Sequence, residues 1–102
     1  MGAVYIIHAQ FSPRDRESVR AMAQALTPAV RPPRGLQHVS VHERAQDAPV
    51  IGLFLLEASL AQAEATAAEL LAQLCGRPEF ALVGPPSLRV ALPARLHDRM
   101  LE

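Results

Sequence analysis

Lysine and tryptophan are absent from the 102 residues, and cysteine and tyrosine occur once each. Without lysine there is no amine to form a Schiff base, so pyridoxal enzymes and Schiff-base aldolases are excluded. The lone cysteine, Cys75, has no partner for an internal disulfide, which fits a reducing compartment. No apolar run approaches the ~20 residues that a bilayer-crossing helix needs; the longest, around Pro49 to Leu56, is of strand length. Neither sign of charge prevails, since ten basic residues, all arginine, balance ten acidic ones. A chain with no net field is not expected to take nucleic acid or an anionic membrane surface as a partner. Only five glycines are present and no Gly-rich phosphate loop or GxGxxG follows an apolar segment, so no nucleotide cofactor, and no cofactor of any kind, is expected. Ser12, Ser40 and Ser59 have no GxSxG setting, which leaves hydrolase chemistry unsupported. The segment after Met1 and Gly2 is apolar, without a basic leader, and the expected location is the cytoplasm. Exclusive use of arginine together with abundant alanine reads as the coding bias of a GC-rich bacterial genome.

What is present is enough hydrophobic material, 50% of the residues, for the one core of a single domain spanning residues 1–102. Residues 3–9, AVYIIHA, are β-branched and aromatic, as a strand requires. Ser12 as N-cap, Pro13 in the first turn and Asp15 near the positive helix end then start a helix. Val19, Met22, Ala23 and Leu26 form its apolar stripe. Three prolines between Thr27 and Gly35 make a connecting loop, where Arg31 and Arg34 are the guanidinium groups suited to gripping an anion. From Gln37 to Glu43, Val39 and Val41 alternate with His38, Ser40 and His42, the period of a half-exposed strand. After a turn around Ala45 to Ala48, the strand Val50 to Leu56 is apolar on both faces, so it belongs in the middle of a sheet.

Ser59 with Gln62 caps a second helix, whose expected stripe is Leu60, Ala63, Ala67, Leu70 and Leu74 and whose end is Gly76 with Pro78 beyond. Glu79 to Val83 reads as a fourth strand, closed by Gly84-Pro85-Pro86. Residues 84–102 read as a C-terminal extension: Leu88, Val90 and Leu92 alternate as a short strand, and a helical turn follows from Pro93. The fold class expected is α+β, a ferredoxin-like βαββαβ sandwich with an antiparallel four-stranded sheet in the order 4-1-3-2 plus that tail, which packs on the domain or on a dimer partner.

In this layout both helices cover one sheet face, and the third strand still presents apolar residues to the other. Such a patch marks an interface, so a homodimer through the open face is expected, with a small-molecule ligand or a protein as a further partner. Val4, Ile6, His8 and Gln10 are assigned to the open face because two of them are polar, and His38, Ser40 and His42 join them. The histidines are the polar strand residues whose pKa suits proton transfer near neutrality, which makes His8 and His42 the candidate catalytic pair. His38, Ser40, Phe54 and Glu57 are the candidate ligand-binding residues. No metal site is expected: backbones of the first and second strands stand about 10 Å apart, and His38 and His42 about 13 Å apart along a strand, too far for one ion. Glu57 precedes the second helix and is also suited to its positive end. Cys75 lies near the negative end, which raises a thiol pKa and makes it a poor nucleophile.

The architecture resembles that of the dimeric α+β barrel proteins, which include cofactor-independent monooxygenases and isomerases, though none of their residue motifs is matched. That resemblance implies an enzyme with an open-face histidine as acid or base. The order of elements also resembles the RNA-recognition domain, which has an aromatic where Tyr5 stands in VYIIHA. APVIGLFLLE lacks the basic residue and paired aromatics of that family's second motif, so RNA is not expected. With no convergent catalytic set in the sequence, a small dimeric binding or accessory module is the leading expectation and the enzyme the alternative.

Overall fold

The computed structural model describes residues 2–26, 35–43 and 48–91. The loop bearing Arg31 and Arg34, most of the Ala45 to Ala48 turn and the tail from residue 92 onward lie outside the described residues. Among the described residues the architecture is α+β, with two α-helices and a four-stranded antiparallel sheet. The strands are β1 (Ala3–Gln10), β2 (Leu36–His42), β3 (Val50–Glu57) and β4 (Ser87–Ala91), and the helices are α1 (Arg16–Leu26) and α2 (Leu60–Cys75). Across the sheet they run β2-β3-β1-β4, so β1 and β3 are central.

The detail departs from expectation in the fourth strand. Glu79 to Val83 is not a strand; Pro78–Phe80 form a 3₁₀ turn, and Ser87–Ala91, read from sequence as part of an extension, pairs with β1. The reason is periodicity. Phe80 is buried and Val83 half-buried while Leu82 is 91% exposed, a spacing of three rather than two. Phe80 N–H donates to the Arg77 carbonyl and Val83 N–H to that of Phe80, so the segment spends its backbone groups locally.

The helix-covered face of the sheet is the core. Ile7 and Ala9 of β1 pair with Leu53 and Ile51 of β3, and Leu36, Val39 and Val41 of β2 pair with Leu55, Leu53 and Ile51. Against them pack Val19, Met22, Ala23 and Leu26 of α1, all buried as the stripe requires. Val19, Met22 and Leu26 each contribute roughly 1.5–3 kcal/mol when fully buried, and the Ala23 methyl group about 0.8 kcal/mol. On α2 the buried set is Ala63, Ala67, Leu71 and Leu74; Leu70 is half-buried and Leu60 exposed, so the stripe is rotated from the expected one.

Two local features set the faces of β2. Gly35 enters the strand at φ +79°, a conformation that L side chains rarely adopt, and its carbonyl accepts from Leu56 N–H at 2.7 Å. The register then shifts between Leu36 and His38, leaving Gln37 as an extra residue. This bulge lets Leu36 join the core although His38, Ser40 and His42 point the other way.

The helix starts are anchored by polar contacts. Ser59 Oγ accepts from Gln62 N–H at 3.2 Å and caps α2. Ser12 caps a 3₁₀ turn over Pro13–Asp15, and α1 proper begins only at Arg16. The Asp15 carboxylate accepts from Gly84 N–H at 3.3 Å, tying the approach to β4 to the start of α1. At the end of β2, Glu43 receives Arg20 at 2.6 Å and Arg16 at 3.5 Å. The hydrogen bond from Arg20 holds the Glu43 carboxyl below its usual pKa.

Candidate functional site

Strand alternation places Val4, Ile6, His8 and Gln10 of β1 on the face away from the helices. Val50, Gly52, Phe54 and Leu56 of β3, His38, Ser40 and His42 of β2, and Ser87 and Arg89 of β4 share it. Register groups these residues in rows across the sheet: Ser40, Gly52, His8 and Arg89 form one, and His38, Phe54 and Ile6 the next. The parity assigned from sequence therefore holds for β1 and β2.

The centre of the face is a cluster of His8, Ser40 and His42. The two imidazoles stand 5.7 Å apart at their centroids, tilted by 54°, although their strands are not neighbours. Gly52 makes this approach possible. A methyl group there would lie 2.5 Å from Ser40 Oγ and 3.5 Å from His8 Cδ2, so the space a side chain would take on β3 is closed over from both sides. Ser40 Oγ and His42 Nε2 are hydrogen-bonded at 3.2 Å, with the donor set by the tautomer, and this fixes the His42 ring. Burial first, then the neighbouring His42 and the Arg89 guanidinium, hold the His8 imidazole below its usual pKa of 6.5. The His8 imidazole is thus held toward its neutral, proton-accepting form.

His38 stands beside the cluster with its ring edge-on to Phe54, centroids 5.0 Å apart. Glu57 does not join these residues. Its register partner is Ala3, on the helix-covered side, and its Oε2 accepts from Thr66 Oγ1 of α2 at 2.8 Å. There it lines a groove of 510 Å³ with Gln62, Thr66, Glu69 and Gln73. The titratable residues of that groove are two carboxylates, Glu57 and Glu69, with no histidine in its lining, and Glu57 is already engaged by Thr66; the candidate site is therefore the histidine cluster. Cys75, the last residue of α2, is half-buried, and it is burial that pushes its thiol pKa up.

Two members of the site were not found from sequence. Gly52 was read as one more residue of an apolar strand, although an isolated glycine inside a strand is itself a sign of close approach by another group. Arg89 was missed because its segment was read as an extension rather than as the neighbour of β1. Among the described residues no group of three or more His, Cys, Asp or Glu side chains is arranged to hold a metal ion. No described helix is long and apolar enough to cross a membrane. No family model, no curated protein and no solved structure matches the chain.

Proposed function

We propose that the protein is a homodimeric small-molecule-binding module of ferredoxin-like architecture. Two copies pair through the open sheet face, and the ligand sits beside His8, Ser40 and His42. The observation that supports this reading is the division of that face into two neighbouring regions. Val4, Ile6, Phe54 and Leu56 form a continuous apolar strip, with Val4 46% and Leu56 45% exposed. Beside it stands the polar cluster around Gly52. Apolar side chains contiguous across two central strands are a self-complementary surface for a two-fold pair. A polar cluster next to such a contact gains strength as water is excluded.

A second reading, a cofactor-independent enzyme with His8 as general base, is favoured by the 5.7 Å approach of two imidazoles and by the lowered His8 pKa. The two are separated with His8→Asn. Compounds that raise the thermal midpoint of the full chain are first found in metabolite mixtures. Each is then followed by NMR for conversion. The binding module leaves its compound unchanged for hours; the enzyme converts it, and His8→Asn abolishes conversion while binding persists. Absence of any stabilising compound among organic acids, alcohols and amines would refute both.

A further inference from the structure

Among the described residues the open face carries no carboxylate. Glu57 is on the other face with Thr66, Glu43 is taken by Arg16 and Arg20, and Asp15 holds the Gly84 amide. The face does carry a fixed cation, Arg89, directly across from His8 in the β1–β4 register. Among the described residues its one formal charge is therefore positive, even though the chain as a whole is neutral. The row beside Arg89 and His8 is apolar at Ile6 and Phe54, two residues away along each strand, about 7 Å.

We infer that this face binds a small organic acid, with its carboxylate held between Arg89 and His8 and its apolar body lying along Ile6 and Phe54, the inner half of the strip, while the more exposed outer half, Val4 and Leu56, is left to the second copy. The inference rests on the open face being the ligand-bearing surface and adds the chemistry of what it takes. A guanidinium presents a fork that matches a carboxylate. A neutral imidazole beside it donates one ring N–H to the same group without competing for charge. His42, fixed by Ser40, bounds the site on the β2 side. A bound carboxylate also relieves the like-charge opposition of Arg89 and His42 to protonation of His8.

The test is an NMR titration of the isotopically labelled full chain with hexanoate and benzoate, and with benzyl alcohol and inorganic phosphate as controls. The two carboxylates are expected to move the His8 ring and Arg89 Nε–H resonances and to raise the His8 pKa. Arg89→Gln is expected to weaken them by about tenfold, the worth of one charge-assisted hydrogen bond, while Arg77→Gln, on the exposed turn after α2, leaves them unchanged. Phosphate is expected to bind more weakly than either for want of an apolar body. Three results would overturn the inference: benzyl alcohol binding as well as benzoate, insensitivity to Arg89→Gln, or shifts confined to the groove of Glu57 and Thr66. If the chain pairs through the open face but no carboxylate moves His8, the ligand assignment fails and the dimer stands. If carboxylates bind a monomer, the dimer fails and the ligand assignment stands.

Discussion

A methyl group at Gly52 would meet Ser40 Oγ at 2.5 Å, and the serine has only rotation about one bond with which to give way. Gly52→Ala is therefore expected to leave stability within about 1 kcal/mol, since alanine also restricts the unfolded chain. It should nevertheless break the Ser40–His42 hydrogen bond, which appears as a changed tautomer balance in the ¹⁵N shifts of the His42 ring. Unchanged His42 shifts would remove Gly52 from the site. His8 makes a second prediction. Its folded pKa lies below 6.5 because of burial, His42 and Arg89, so the unfolded chain binds the proton more tightly. Stability from this group is full above 6.5 and falls as pH drops from 6.5 through the lowered folded value. Both Arg89→Gln and His42→Asn should raise the His8 pKa in an NMR titration by removing a like charge; a pKa that stays put in both would show that burial alone sets it. At this level the sequence was informative where polarity was the signal: His8, Ser40 and His42 stand out against apolar neighbours and fall on the expected face. It was silent on Gly52, whose role is to have no side chain.

α2 shows how an element can be legible at its ends and misread along its length. Ser59 caps it and Gly76 follows its last residue, as the sequence indicates. Ser59→Ala is expected to cost about 1 kcal/mol, measured by urea denaturation, because the Gln62 amide loses its acceptor. A loss of only a few tenths would mean that water replaces the cap. The buried stripe took Leu71 rather than Leu70 because both are apolar, and only the seat of the helix on β1 and β3 decides between them. Glu79 to Val83 was misread for a related reason: five apolar-rich residues between turn signals fit a strand and a 3₁₀ turn equally well. The core need for Phe80 selected the turn. The β2 bulge was likewise invisible in a pattern that alternates cleanly from His38 to His42 and changes phase only at Leu36.

For the molecule as a whole, the decisive asymmetry is between the two sheet faces. Ile51, Leu53 and Leu55 are fully covered by the helices, while Leu56 and Val4 on the other side stay nearly half exposed. The apolar third strand makes this legible in the sequence, since a strand greasy on both faces needs cover on both. The proposed cover is a second copy of the chain, and one sequence contains no record of a partner's geometry. Sedimentation equilibrium of the full chain and of Leu56→Asp at neutral pH tests this most directly. A pair through the open face gives twice the 11.0 kDa of one chain, and Leu56→Asp falls to a folded monomer with unchanged far-UV circular dichroism. A stable monomer of the unsubstituted chain, or a dimer indifferent to a carboxylate at position 56, would contradict it.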